Sequence, residues 1–155
     1  MITGKFPNLR LRRSRKNDWS RRLIEENNLS ANDFILPIFL IEGKNKKQEI
    51  KSMPDVYRYT LDKLNSVVDG AIKKKLPMIA LFPYTEKKKK NNTGTEALNE
   101  NNLVCRAIQL IKKKYKNEIG IMCDVALDPY TSHGHDGLIK MGHVLNDETI
   151  KVLID

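Results

Sequence analysis

The residues able to do chemistry in this 155-residue chain are concentrated in one stretch, Asp124-Val125-Ala126-Leu127-Asp128-Pro129-Tyr130-Thr131-Ser132-His133-Gly134-His135-Asp136-Gly137. Ile119 to Leu127 reads as a buried strand, so Asp124 and Asp128 fall at its C-terminal end. Alternation along a strand puts Asp124, Ala126 and Asp128 on one face and aims both carboxylates into one space. A carboxylate inside an apolar strand is costly unless it is paired, hydrogen-bonded or bound to a metal. His133 and His135 follow at i, i+2, then Asp136, with Gly134 and Gly137 permitting tight backbone geometry. Such a group of Asp and His can ligate a divalent ion: Mg, Mn or Zn, with carboxylates tilting the choice toward the harder ions. The same residue types also build loops closed by Asx-type turns and side-chain hydrogen bonds, and the residues alone leave both readings open.

The elements that would position this turn alternate in type. Phe34 to Glu42 is an almost continuous apolar run closed by Gly43, the pattern of a central parallel strand covered on both faces. A polar loop (Lys44 to Lys51) and a short extended stretch around Val56 to Tyr59 follow. Thr60 can cap a helix whose Leu61, Leu64, Val67, Val68, Ala71 and Ile72 keep the helical period. Lys73 to Lys75 then fall where the helix dipole favours cations, and Pro77 stops the helix. Met78 to Phe82 reads as a second buried strand ended by Pro83, and Thr85 to Glu100 as a flexible loop rich in Lys and Asn. Leu103, Ala107, Ile111 and Tyr115 line one face of a second helix, with Val104 and Ile108 beside it. After the third strand, a long loop from Asp128 to Leu145 leads to a third helix capped by Asn146, with Asp147 and Glu148 in its first turn. Alternating strands and helices predict a parallel α/β sheet, in which ligands bind at the C-terminal ends of the strands.

Twenty-eight Lys and Arg against nineteen Asp and Glu leave a formal charge of +9. Much of the excess lies in Lys73 to Lys75, Lys87 to Lys90 and Lys112 to Lys114, runs that accompany abundant Asn and read as solvated faces. The first 22 residues hold eight Lys or Arg and one acid, Asp18, with Phe6, Pro7, Leu9 and Leu11 as their strong apolar anchors before Trp19. Such a segment cannot build its own core and reads as an arm that lies on something else; a short helix is expected from Asp18, as N-cap, to Glu26. The expected division is an arm over residues 1–30 and a barrel-type domain over 31–155. Cys105 and Cys123 cannot make a disulfide framework or a cysteine zinc site, and both read as buried thiols. No apolar run approaches the ~20 residues of a spanning helix, and no apolar region follows the basic N-terminus. A cytoplasmic protein with no membrane partner is therefore expected.

The segments DVALDPYTSHGHDG (124–137) and GHVLNDET (142–149) closely resemble porphobilinogen synthase, also called 5-aminolevulinate dehydratase. Agreement extends to Arg10 to Arg13 with Trp19, Arg21 and Arg22; LPIFLIEG (36–43); SMPDVYR (52–58); and ALFP (80–83). The resemblance implies a (β/α)8 TIM barrel, of which this chain holds about three βα units. It also implies an N-terminal arm that embraces a neighbouring subunit, usually in a homo-octamer. The implied reaction condenses two 5-aminolevulinate molecules to porphobilinogen with release of two waters, in tetrapyrrole (haem) synthesis. Two lysines of the family form Schiff bases with the substrate ketones; their motifs match nothing in this chain. Lys140, the lysine nearest the acid-rich turn, matches no such motif either. The fragment is therefore expected to be catalytically incomplete.

Zinc-dependent members carry cysteines where this chain has Ala126, Asp128 and Asp136, so the resemblance is to the aspartate-rich branch without active-site zinc. It implies that Asp124 and Asp128 bind the amino group of the second substrate or orient water. Asp136 joins them, and Asp128, Asp136 and His135 are the candidate metal ligands, for Mg2+ or a monovalent cation more than for zinc. His133 is expected to be structural. Two other readings are a basic nucleic-acid-binding module and a non-catalytic metal-binding half-barrel. No nucleic-acid motif and few aromatics (6%) stand against the first, so nucleic acid is not an expected partner.

Overall fold

A computed structural model describes residues 4–9 and 12–155. Arg10 and Leu11, which the sequence reading assigned to the arm, lie outside the described residues. The chain divides into two compact units, residues 1–30 and residues 31–155.

In the first unit, helix α1 spans Asp18–Ile24. Its N-cap is Asn17, not Asp18; the Asn17 N–H donates to Ser20 Oγ at 3.3 Å. Asp18 instead sits in the first turn, paired with Arg22 at 3.0 Å, where a carboxylate complements the helix dipole. Glu25 is already extended, so the helix ends two residues before the predicted Glu26. Trp19 and Leu23 are exposed, as a segment without its own core requires.

The second unit is built on a sheet of order β2-β3-β1-β4-β5. Strand β1 covers Ile35–Ile41, β2 Lys47–Glu49, β3 Tyr57–Tyr59, β4 Met78–Tyr84 and β5 Gly120–Cys123. Strands β3, β1, β4 and β5 run parallel, with Leu36 beside Ile79 and Ile79 beside Ile121. Helices α2 (Leu61–Lys73) and α3 (Leu103–Tyr115) seal one face. Leu64, Val68 and Ala71 of α2 and Leu103, Ala107, Ile111 and Tyr115 of α3 are buried against Ile38, Leu40, Ile79 and Leu81. The two helices are also joined by polar contacts, the Tyr115 hydroxyl lying 2.7 Å from Asp69 Oδ1 and 2.9 Å from the Asn65 carbonyl. Asn102 caps α3 by accepting the Cys105 N–H at 2.9 Å. A second, two-stranded sheet pairs β6 (Ile139–Lys140) with β7 (His143–Val144) ahead of α4, Asn146–Ile154.

Several expectations need correction. β1 is covered on one face only: Ile38 and Leu40 are buried, whereas Ile35 is 44% exposed and Phe39 half-exposed, stacked on Phe82. In a (β/α)8 barrel that second face points inward, toward strands beyond these three units. The polar loop after β1 contains β2, which pairs antiparallel with β3. All three of its residues are exposed, so it carries no apolar alternation to read. β4 continues through Pro83, which pairs with Leu40; past Leu81 it has left β5 and has a neighbour on one side, where a missing N–H is tolerated. Helix α2 ends at Lys73, before Pro77; Thr60 is its N-cap, as expected, but spends its hydroxyl on the Lys46 backbone and not on the helix N–H groups. Leu145, not Asn146, is the N-cap of α4. Cys105 is half-buried, but Cys123 is exposed.

Candidate active site

The acid-rich turn begins where β5 stops. That strand ends at Cys123, four residues short of the predicted Leu127, so strand alternation does not carry Asp124, Ala126 and Asp128 onto one face. Leu81 beside Cys123 is the last pair between β4 and β5, although β4 itself runs on to Tyr84. Asp124 and Asp128 still meet, by way of a turn. Tyr130 and Thr131 donate backbone N–H bonds to the Leu127 carbonyl at 2.8 and 2.9 Å, and Leu127 itself is buried beneath them. Both carboxylates line a half-open cavity of about 520 Å³ at the end of β4 and β5, with Phe82, Pro83, Cys123 and Tyr130.

Asp136 returns to this turn from between Gly134 and Gly137. Its Oδ1 accepts the Leu127 N–H at 2.6 Å, a charge-assisted bond that closes the loop between residues nine apart in sequence. Partial burial pushes the Asp128 carboxyl above its ordinary value, and the like charges of Asp136 and Asp124 add to the rise. Lys90, on the loop after β4, offsets part of it. Tyr130, buried beside the same cavity, has its phenol pushed up to about 12, chiefly by desolvation. The ring of His133, expected to be structural, is tied to the loop backbone: its Nδ1 accepts the His135 N–H at 3.2 Å and its Nε2 lies 3.2 Å from the Asn92 carbonyl. His135 is exposed, and its ring lies tilted at 39° to that of His133 with centroids 5.6 Å apart.

The loop from Thr85 to Glu100 is not a free lysine-rich loop. Lys89 bridges Glu42 (2.9 Å) at the end of β1 and Glu96 (3.1 Å), and Arg106 of α3 also donates to Glu42. Burial opposes ionisation of Glu42, but hydrogen bonds from Arg106 and Lys89 outweigh it and hold the pKa low. Lys89 is correspondingly raised by Glu42 and Glu96. Further on, Asn91 pairs with Thr131 in an isolated parallel bridge, and Ser132 donates to the Asn92 side chain. None of these partners was visible in the sequence, where Lys89 was one of four consecutive lysines and Asn91 one of two asparagines.

The predicted metal set of Asp128, Asp136 and His135 is not assembled. Among the described residues no three His, Cys, Asp or Glu side chains come together to hold an ion. Asp136 is engaged with Leu127, while His135 does not line the cavity that Asp124 and Asp128 share. The donor set here has carboxylate oxygens and no thiolate at positions 126, 128 or 136, a chemistry that suits the harder cations. A bound Mg2+ would keep several waters and take one or two carboxylates, a role open to Asp124 and Asp128.

A family model described as delta-aminolevulinic acid dehydratase matches residues 8–155. The chain belongs to the delta-aminolevulinic acid dehydratase family. A family member from Bradyrhizobium diazoefficiens is 53% identical over 94% of this chain and 41% of its own length. Another delta-aminolevulinic acid dehydratase, from Ruminiclostridium josui, is 36% identical over 93% of this chain and 69% of its own length. Among solved structures, delta-aminolevulinic acid dehydratase (porphobilinogen synthase) from Toxoplasma gondii ME49, in complex with the reaction product porphobilinogen, superposes with a TM-score of 0.86 at 33% identity. That match covers 94% of this chain and 41% of the solved one. The sheet and helices above are thus part of a delta-aminolevulinic acid dehydratase barrel, as the sequence motifs implied. The chain spans about two fifths of the length of the Bradyrhizobium relative. Delta-aminolevulinic acid dehydratases are lyases of haem synthesis and are in general metal-dependent.

Proposed function

We propose that this chain supplies the acid-bearing portion of an enzyme that condenses two 5-aminolevulinate molecules to porphobilinogen and two waters. The observation that carries the reading is the pair Asp124 and Asp128 on one cavity at the C-terminal end of β5, with the third carboxylate of Asp136 close behind. Carboxylates so placed accept hydrogen bonds from a substrate ammonium and balance its charge. Asp128, the member with the raised pKa, is suited to take up and return a proton as that amine is freed for condensation. A bound Mg2+ or monovalent cation would supply further positive charge at the same oxygens.

Schiff-base chemistry needs a lysine whose amine is freed by desolvation or a neighbouring cation. Lys89 and Lys114 are shifted the other way, each raised with help from a carboxylate neighbour. This supports the reading that the covalent centre lies outside these 155 residues and that the chain alone is inactive. Assembly into a homo-octamer through the arm of residues 1–30, and a cytoplasmic location, belong to the same proposal; no helix among the described residues is long and apolar enough to cross a membrane. The test is incubation with 5-aminolevulinate, borohydride reduction and mass analysis. The expected result is no lysine adduct on this chain alone, and turnover once the remaining length of a relative is supplied. A stoichiometric adduct on any of its lysines would overturn it.

A further inference from the structure

Thr131 is buried, at 1% exposure, in a turn whose Asp124, Asp128, Ser132 and His135 are exposed. Its backbone is fixed from both sides by one residue of the loop after β4. The Asn91 N–H donates to the Tyr130 carbonyl at 3.3 Å, and the Ser132 N–H donates to the Asn91 carbonyl at 2.9 Å. With the main chain held there, the side chain is free to hold something else. The Thr131 hydroxyl donates to the His135 carbonyl at 2.9 Å, the residue next to Asp136. Its methyl group faces Gly94, a buried residue in the left-handed region (φ 64°), where an added Cβ would stand 3.4 Å from Thr131 Cγ2 and 3.5 Å from Leu127 Cδ2. A buried hydroxyl is tolerated only when hydrogen-bonded, so this one is committed to its bond.

We propose that Thr131 is the positioning residue of the acid turn. Its hydroxyl draws the His135 carbonyl inward so that Asp136 reaches the Leu127 N–H, and its methyl group seats the turn on Gly94. Asp136 is thereby held against the turn that carries Asp124 and Asp128, on a loop that Gly134 would otherwise let drift. The effect on ligand binding rests on the reading of Asp124 and Asp128 given above; the geometric effect does not.

Two near-isosteric substitutions separate the two ends of this side chain. Thr131→Val keeps the shape and loses the donor, whereas Thr131→Ser keeps the donor and loses the methyl group. Amide hydrogen exchange is followed by NMR in the full 155-residue chain, with Ile79 and Ala107 as core references, alongside a titration with 5-aminolevulinate. Thr131→Val is expected to speed exchange of the Leu127 amide at least tenfold with the core references unchanged, and to weaken 5-aminolevulinate binding several-fold. Thr131→Ser is expected to return both to within threefold of the parent. Parent-like exchange at Leu127 in Thr131→Val, or equally fast exchange in Thr131→Ser, overturns the proposal. Should Thr131→Val also expose the core, Thr131→Ala takes its place under the same criteria. Absence of 5-aminolevulinate binding by the parent would count against the roles of Asp124 and Asp128, while the exchange data would still decide that of Thr131.

Discussion

Two charged groups occupy the C-terminal end of the parallel strands and differ in how their charge is balanced. Around Glu42, two carboxylates meet two cations, Lys89 and Arg106, and the central carboxyl is held below its ordinary pKa despite burial. Around Asp128, three carboxylates face one lysine, and the central carboxyl is raised. The first arrangement is what a scaffold needs, because every charge has a partner and the loop after β4 is pinned between β1 and α3. The second stores unmet negative charge beside a cavity, a state that a cationic ligand relieves. Stability and chemistry are thus expected to separate between residues on neighbouring loops.

The largest effect should fall on activity. In the complete barrel, formed with the remaining length of a relative, Asp128→Ala is expected to lower turnover by about 10²-fold or more, the usual scale for a proton-transfer group. Glu42→Ala is expected to do the reverse, costing about 1–2 kcal/mol by urea unfolding because it leaves Lys89 and Arg106 short of their shared partner. The comparison breaks if Glu42→Ala is stability-neutral. Its pH signature is also specific. A carboxyl whose folded pKa is lowered stabilises fully above its unfolded value, and that contribution disappears as pH falls through the folded one, so the gap between parent and Glu42→Ala should close in acid.

The smallest effect has the opposite sign. Asp128 is raised, so the folded state binds the proton more tightly and ionised Asp128 costs stability at neutral pH. Asp128→Asn should therefore stabilise the chain, by no more than about 0.5 kcal/mol since the group is exposed and screened. The gain should shrink as pH drops through the raised pKa toward the ordinary aspartate value. A loss of stability in Asp128→Asn at pH 7 would show that the carboxylate is structurally satisfied.

What could be read from residues alone followed burial. The stripe Leu103, Ala107, Ile111 and Tyr115 is buried in full, because a 3.6-residue period has one geometric consequence. The apolar runs of β1 and β4 were legible for the same reason, although an apolar run does not say which of its two faces a given set of neighbours will cover. β2 was invisible because three exposed polar residues carry no period. At the site, the motif located the acids, but strand alternation misplaced them, since β5 stops at Cys123, its last pair with β4. The roles of Lys89, Asn91 and Thr131 depend on partners as much as 47 residues away and leave no local trace.

The borders of the sheet are unequal. On one side stands β2, whose Lys47, Gln48 and Glu49 offer a short polar rim that discourages foreign strands. On the other, β5 presents Gly120–Cys123, with Met122 43% exposed and no acid or base among its four residues. Wherever that border is bare, a wandering extended peptide would zip on there and not at the polar rim. Clumping at high concentration would then propagate in one direction, and a lysine introduced at Met122 would act as a cap.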